Sequence, residues 1–394
     1  MLLWFGAAVS IAEILTGALL APLGLTQGLC AIFTGHIIGA VILFMAGYIG
    51  AQSGLSAAWS VRISFGKYGS YGFSVLNLLQ LLGWTVIMII NAANAMDMIT
   101  YKLWGLNGGG LWCVAIGLLI CIWIIIGNKN LVWLNIVVML MLLVFSLVLG
   151  FIVFSHTGTS YQSDCSLSFG AAVELNVAMS LSWLPLISDY TRSLKKPLRG
   201  TVGSVCGYFF GSIIMYTIGL GAALYAGTPD ISEILLAAGM GLVALVIVVL
   251  STVTTTFLDV YSAGVCIENL YSKAKEKISA IAVCITGTIL SIFVSMDQYE
   301  NFLYLIGSAF APIFAILFAE YFVAKKLAVQ PQNLLSVKNV VLFVIGFTGY
   351  RLLMPYATFL GITVPVMAAI GLICILFNLK KINGKWTIKR KTQT

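Results

Sequence analysis

Long continuous runs of apolar residues, separated by short polar segments, repeat along the whole chain. Runs such as Val137–Leu149 and Val243–Leu250 do not alternate as the residues of a half-buried strand do. They belong to segments of roughly 20 apolar residues, the length that an α-helix needs to cross a bilayer. The pattern predicts about twelve membrane-spanning helices, numbered here as spans 1 to 12. They cover residues 2–24, 28–51, 71–99, 110–128, 131–154, 170–188, 201–226, 236–267, 278–296, 300–324, 337–355 and 357–378.

Composition supports an all-α polytopic membrane protein. Hydrophobic residues make up 60% of the chain and charged residues only 9%, whereas a soluble domain carries about 25% charged residues. A soluble protein could not keep so much apolar surface away from water. A β-barrel is excluded because its strands alternate apolar and polar residues. No segment is polar enough to form a separate soluble enzyme domain.

The basic residues lie mostly on one side of the predicted membrane. Of the 21 Lys and Arg residues, 19 lie in the loops that follow even-numbered spans or in the basic tail. The two exceptions are Lys102 and Arg351. Because Lys and Arg are concentrated in cytoplasmic loops, both termini are predicted to be cytoplasmic, in the inner or plasma membrane. The net charge of +8 is then explained by topology, and no nucleic-acid partner is expected.

Ionisable side chains inside spans mark candidate functional sites, since burying them in a bilayer is costly. Glu13 lies in the middle of span 1, among Gly, Ser and Thr residues that allow a helix to be interrupted. Free carbonyls at such a break can bind a cation. Asp259 lies in span 8. The alternative for Glu13 is a protonated carboxyl bonded to a neighbouring helix.

A second interrupted helix is predicted in span 6, where Pro185 follows Trp183 and removes a backbone donor. Two broken helices five spans apart predict an inverted-repeat transporter whose substrate binds near the midplane. The first repeat is assigned to residues 1–155 and the second to residues 170–324. Spans 11 and 12 occupy residues 337–378, and residues 379–394 form a basic cytoplasmic tail.

Two polar stripes indicate what the transporter binds. Span 3 carries amides and a Trp at helical spacing, a set that suits a flat, hydrogen-bonding ligand. Span 8 carries several hydroxyls at mid-span, which suit an alkali cation better than a transition metal. Interhelical hydrogen bonding is the alternative for the span 3 amides. The two stripes are Asn77, Gln80, Trp84, Asn91 and Asn94 in span 3, and Ser251, Thr254, Thr255 and Thr256 in span 8.

These residues together resemble the nucleobase:cation symporter-1 family, and most closely its CytX-type branch of hydroxymethylpyrimidine permeases. The resemblance covers nearly the whole chain and rests on five motifs in order. They are Leu3 to Glu13 in span 1, Arg62 to Gly66 with Gly69, Gly83-Trp84 in span 3, Ser182 to Arg192 in span 6, and Thr254-Thr255 with Tyr261 in span 8.

The resemblance implies a LeuT-like fold of ten core helices in two inverted repeats, plus two C-terminal helices. It implies coupled uptake of nucleobases and related heterocycles, with Trp84 stacking on the base. It also implies a sodium site formed by the carbonyls of Val9, Ala12 and Ser251 and the hydroxyls of Thr254 and Thr255. The candidate substrate-binding residues are Glu13, Gln80, Trp84, Asn91, Ser180, Trp183, Thr256 and Asp259.

The predicted function is sodium-coupled import of a pyrimidine-type heterocycle such as cytosine or hydroxymethylpyrimidine, a thiamine precursor. No cofactor is expected besides sodium as the coupling ion. One alternative is a proton-coupled permease of the same fold that uses Glu13 or Asp259, and another is a purine, hydantoin or allantoin-type substrate. A channel and a membrane-embedded enzyme are remote alternatives. The sequence leaves the oligomeric state open.

Glu13 is predicted to read the amino edge of the substrate. A protonated carboxyl offers a carbonyl acceptor and an O–H donor side by side. A 4-aminopyrimidine presents an NH₂ donor beside a ring-nitrogen acceptor, so the two edges match at both points. Uracil presents the opposite order, which predicts weaker binding.

Overall fold

The computed structural model describes residues 1–126, 128–155, 166–239, 241–356 and 358–391, and the regular structure within these ranges is helical. The α-helices are named α1 to α15 in chain order. They are Leu2–Ala8, Ile11–Ala18, Gly24–Ser53, Ala57–Trp104, Gly109–Ile126, Asn128–Ser155, Phe169–Ser182, Leu184–Thr191, Pro197–Ala226, Ile231–Ala237, Gly241–Leu270, Glu276–Ser291, Tyr299–Phe318, Val337–Leu353 and Thr363–Lys391. Short 3₁₀ turns occupy Ala21–Leu23, Met296–Gln298 and Met354–Tyr356, and a π-helical turn occupies Ala319–Val323.

The predicted spans fall on these helices. Span 1 is divided between α1 and α2, span 6 between α7 and α8, and most other spans match one helix each. By length and apolar composition, the described ranges hold eight candidate spans, or nine with the bent α7–α8 pair. That count joins α2 to α3 and leaves out the shorter apolar helix Thr363–Asn378. The all-α polytopic class is therefore confirmed.

Several boundaries differ from the prediction, among them the start of span 8, the segment before span 3 and the start of span 12, where α15 begins at Thr363 instead of residue 357. Span 8 was expected to begin at residue 236, but α10 ends at Ala237 and α11 begins only at Gly241. Gly239 has φ of 70°, a left-handed conformation that ends a helix and that glycine adopts easily. The polar segment 52–70, expected as a loop, is helical from Ala57 onwards.

Gly66 kinks α4, and the segment that precedes α14 packs against this kink. Its φ of 78° is non-helical, so nearby backbone groups lose their intrahelical partners. The amide of Lys67 donates to the Asn333 carbonyl at 3.2 Å, and the amide of Ser336 donates to the Phe65 carbonyl at 3.1 Å. The segment before α14 therefore supplies hydrogen-bond partners for the backbone groups at the kink.

Both predicted helix breaks are present. Between α1 and α2, Val9 has ψ of 82° and Ser10 is extended. The Ser10 hydroxyl accepts the amide of Glu13 at 3.4 Å and so caps α2. Between α7 and α8 the chain bends by 41° at Trp183, and Pro185 lies in the first turn of α8, where its missing N–H costs nothing.

The buried carboxyl of Glu174 anchors α7 to the C-terminal helices. It accepts hydrogen bonds from the Tyr350 hydroxyl of α14 and from the Ile362 amide. Thr363, at the start of α15, donates through its amide at 2.8 Å and its hydroxyl at 2.6 Å. Four donors on one carboxyl satisfy a group that would otherwise be expensive to bury.

We expect Glu174→Leu to destabilise the protein strongly and Glu174→Gln to do so mildly. Leu leaves two backbone N–H groups without an acceptor, at about 1–3 kcal/mol each. The Gln carbonyl can accept both amides while its NH₂ donates to the two hydroxyls, which can also accept. Thermal unfolding of the purified protein in detergent measures the difference. Equal stability of the two variants would contradict this role.

Candidate functional site

A cavity with several polar side chains in an otherwise apolar wall lies where the two helix breaks meet α4 and α11. The empty space between its walls, counted together with the open mouth, is about 440 Å³. Residues from the α1–α2 break, α4, the α7–α8 break and α11 contribute to its wall. The lining residues are Ser10, Ala12, Glu13, Gln80, Leu81, Trp84, Met88, Met179, Ser182, Trp183, Leu186, Thr255 and Asp259.

Seven of the predicted site residues line this one cavity. They come from four helical segments that are far apart in sequence, so their convergence is a property of the fold. The seven are Ala12, Glu13, Gln80, Trp84, Trp183, Thr255 and Asp259. The predicted residues outside the lining are Val9, Asn91, Ser180, Ser251, Thr254 and Thr256.

The residues outside the lining have identifiable positions. Ser180 faces α3, since a Cβ added at Gly39 would meet its hydroxyl, and Ser182 lines the cavity in its place. Asn91 is buried further along α4, with an amide nitrogen that has no partner within the described ranges. Thr256 is also buried, on a different face of α11 from Thr255.

Gln80 connects α4 to the break in the α7–α8 pair. Its amide nitrogen donates to the Ser182 carbonyl at 2.7 Å and to the Asn77 side chain at 3.2 Å. The break leaves the Ser182 carbonyl without a normal helical partner, so Gln80 replaces that partner. The Gln80 carbonyl oxygen is buried with no partner among the described residues. A ligand in the cavity can supply the missing donor.

Trp183 supplies an unused hydrogen-bond donor, which complements the unused acceptor of Gln80. It lines the cavity at the α7–α8 break, and its indole N–H is buried without an acceptor in the part of the chain that the structure describes. Its ring contacts Trp4 edge-on at 5.6 Å between centroids. Indole N–H groups are donors only and usually find a partner when buried. The cavity thus offers at least one unused donor and one unused acceptor.

Trp84 is held at the cavity wall by other aromatic rings. Tyr299 and Phe302 contact it edge-on, with centroid separations of 6.0 and 5.3 Å. Edge contacts of this kind are favourable for aromatic pairs and restrict the indole plane. The ring is therefore presented to the cavity in a fixed orientation, as stacking on a flat ligand requires.

Of the five residues predicted to bind sodium, two line the cavity. Ala12 and Thr255 line the same cavity from α2 and α11. The Thr254 hydroxyl donates to the Ser251 carbonyl at 2.9 Å. At the α1–α2 break, the Glu13 amide, which a continuous helix would direct to the Val9 carbonyl, donates to the Ser10 side chain. The Ala12 carbonyl accepts the Thr16 hydroxyl at 2.8 Å. Hydroxyl and carbonyl oxygens are the ligand types that suit an alkali cation.

Glu13 belongs to a chain of buried hydrogen bonds that the sequence did not reveal. Its Oε2 lies 2.6 Å from the Ser212 hydroxyl of α9. The same hydroxyl lies 2.6 Å from His36 Nε2 of α3, and His36 Nδ1 lies 2.8 Å from the Ile32 carbonyl. Because Oε2 is engaged with Ser212, only Oε1 remains for a ligand. The predicted two-point contact of Glu13 therefore requires correction to a single point.

The acceptor groups of the cavity favour a ligand that donates hydrogen bonds. Glu13 and Asp259 both line it, and among the described residues no Lys, Arg or His does so. A carboxyl group has an oxygen that accepts hydrogen bonds whether or not the group is protonated.

A polytopic helical bundle with two broken helices around a polar cavity has the architecture of a secondary transporter. The profile of a family described as permeases for cytosine/purines, uracil, thiamine and allantoin matches residues 1–388. The chain belongs to this permease family. The cytosine permease of Escherichia coli strain K12 is 26% identical over 305 residues, covering 75% of this chain and 70% of that permease. The hydantoin permease of Microbacterium maritypicum is 22% identical over 405 residues, covering 95% and 83%.

Solved structures have the same fold. The inward-facing form of Mhp1, a nucleobase-cation-symport-1 family transporter, superposes with a TM-score of 0.80 at 18% identity, covering 98% of this chain and 90% of Mhp1. A Na⁺-coupled sialic acid symporter has a TM-score of 0.62 at 14% identity, covering 95% and 88%. The predicted family and LeuT-like fold class are confirmed. The relatives are permeases, so the protein is a transporter and not an enzyme, while the repeat boundaries stay predictions.

Proposed function

We propose that this permease imports an amino-substituted pyrimidine, such as cytosine or hydroxymethylpyrimidine, by sodium symport across the plasma membrane. The observation that carries the proposal is the composition of the cavity. Within the part of the chain that the structure describes, it combines two carboxyl groups and the unused Gln80 carbonyl with the aromatic ring of Trp84 and no basic side chain. An amino-pyrimidine supplies the donors and a flat ring for stacking. Both termini are proposed to lie in the cytoplasm.

The substrate's polar edge is proposed to bind at two different side chains. Glu13 Oε1 accepts the exocyclic amino group, because Oε2 is held by Ser212. The indole N–H of Trp183 is the candidate donor to the ring nitrogen, since it is buried without a partner within the described ranges. Gln80 and Asp259 accept further donors. A cytosine permease among the relatives supports this substrate class.

Proteoliposome uptake with a panel of labelled heterocycles tests the proposal directly. We expect cytosine or hydroxymethylpyrimidine to accumulate when a sodium gradient is imposed, and not with a proton gradient alone. Accumulation driven by protons would support the alternative coupling through Glu13 or Asp259. Preference for a purine, hydantoin or allantoin would contradict the substrate class.

Thr254→Val and Thr255→Val are expected to raise the sodium concentration that gives half-maximal uptake by about tenfold or more. Each change keeps the side-chain shape but removes an oxygen contact to a charged group, worth roughly 1.5–3 kcal/mol. Thr252→Val is the matched control, because Thr252 is buried on the same helix and its hydroxyl has no partner among the described residues. Unchanged sodium dependence in both variants would place the ion elsewhere.

Trp84→Ala is expected to weaken equilibrium binding of the transported pyrimidine roughly 5- to 150-fold, and Trp84→Phe less. Stacking of a base on an aromatic ring is worth about 1–3 kcal/mol, at 1.4 kcal/mol per decade. Trp104→Ala serves as the control, since Trp104 ends the same helix and is 62% exposed. Equal affinity of wild type and a folded Trp84→Ala would rule out stacking.

Glu13→Gln is expected to retain binding of cytosine and Glu13→Ala to lose it by about tenfold or more. The Gln carbonyl can face the amino group while its NH₂ donates to Ser212. If Glu13 were instead the proton carrier, Glu13→Gln would bind normally but fail to accumulate substrate. Binding and gradient-driven uptake are therefore measured on the same two variants. Unchanged affinity and selectivity in Glu13→Ala would contradict the contact.

A further inference from the structure

The hydrogen-bond chain behind Glu13 links three helices through fully buried groups. Glu13 of α2, His36 of α3 and Ser212 of α9 are 1%, 2% and 0% exposed. Neither His36 nor Ser212 lines the cavity. Among the described residues, the short hydrogen bonds of His36 and Ser212 lead to the cavity through the Glu13 carboxyl. The ring of Tyr208, which contacts Trp183 at 6.1 Å between centroids, is a second contact between this region and the cavity wall.

The geometry determines which groups donate in this chain. His36 Nδ1 lies 2.8 Å from the Ile32 carbonyl, and a carbonyl can only accept, so Nδ1 carries a proton. Between His36 Nε2 and Glu13 Oε2 there are then two short hydrogen bonds, both through the Ser212 oxygen. The Ser212 hydroxyl supplies one of the two protons, and the second belongs to either Glu13 Oε2 or His36 Nε2.

In both arrangements Oε1, the Glu13 oxygen that Ser212 does not contact, is a hydrogen-bond acceptor. With the second proton on Glu13 Oε2, the carboxyl is neutral and Oε1 is its carbonyl oxygen. With the proton on His36 Nε2, Glu13 is a carboxylate and Oε1 again can only accept. A proton on Oε1 would require either two acceptors facing each other at 2.6 Å or a net positive charge on the buried chain, both costly.

We propose that His36 and Ser212 are positioning residues that make Glu13 present a hydrogen-bond acceptor to the cavity, and that they thereby select a substrate amino group over an oxo group. The inference rests on the proposed function for its substrate class. What it adds is that two residues outside the cavity determine whether Glu13 accepts or donates the hydrogen bond to the substrate. Without the histidine, Ser212 donates to Oε2 and a proton on Oε1 becomes possible.

The binding test uses cytosine and uracil as probes, because they differ in having an amino or an oxo group at the same ring position. Wild type is expected to prefer cytosine. His36→Phe keeps the ring shape without the nitrogens and is expected to lower the cytosine-to-uracil affinity ratio by about tenfold or more. Ser212→Ala is expected to lower it as well.

Two controls separate positioning from packing. Ser212→Thr retains the hydroxyl and is expected to keep the wild-type ratio. Phe209→Leu changes a ring that packs on His36 at 6.4 Å between centroids without touching the hydrogen bonds, and it too is expected to keep the ratio. A wild-type ratio in folded His36→Phe and Ser212→Ala, or an equal loss in Phe209→Leu, would overturn the proposal.

A spectroscopic measurement tests the hydrogen-bond direction without any substrate. The chain has two histidines, so His156→Gln leaves His36 as the single imidazole. In ¹⁵N-histidine-labelled protein in lipid nanodiscs, we expect a protonated Nδ1 and an Nε2 resonance that shifts in Ser212→Ala. A bare Nδ1, or an Nε2 insensitive to Ser212→Ala, would overturn the inference. If wild type binds neither base, the proposed function is contradicted. The nitrogen resonances then still test the hydrogen-bond direction proposed here, because they need no substrate.

Discussion

The site depends on one constraint: a backbone group at membrane depth must find a hydrogen-bond partner even where its helix is broken. Side chains meet that requirement at both breaks. Ser10 accepts the amide of Glu13 at the first, and Gln80 donates to the Ser182 carbonyl at the second. The groups that satisfy the breaks are among those that line the cavity. The fold therefore cannot lose the stabilisation of its broken helices without also altering the substrate site.

Both parts of the second broken helix pack on α3, but their buried side-chain hydrogen bonds differ. Glu174 fixes α7 to α14 and α15 through four hydrogen bonds. In α8, Ser188 and Thr191 donate to the Ala46 and Gly47 carbonyls of α3. Trp183 lies between the two parts and lines the cavity, so the bend in this helix and the wall of the cavity are formed by the same residue.

Local chemistry made the helix breaks predictable, and long-range packing made other features unpredictable. Pro185, and the Gly, Ser and Thr residues around Glu13, indicated the breaks because they weaken a helix wherever it lies. Helical spacing predicted that Gln80 and Trp84 share one face of α4, and both line the cavity. Ser180 was a candidate from the family resemblance; it faces α3, and Ser182 lines the cavity. His36 and Ser212 lie 176 residues apart, and no periodicity connects them; only the packing of α3 on α9 brings them together.

The candidate ion and substrate groups lie on the same pair of helices, and this arrangement has a thermodynamic consequence. Ala12 and Glu13 are neighbours on α2, while Thr255 and Asp259 are one turn apart on α11. A cation held between Ala12 and Thr255 would draw the two helices together and bring positive charge close to both carboxyl groups. A substrate bridging Glu13 and Asp259 would favour the same approach of the helices. Since coupling between two binding sites is reciprocal, each ligand would then strengthen the binding of the other by the same factor. Symport in such a site requires no further link between the ion and the substrate, because both ligands act on the same distance between α2 and α11.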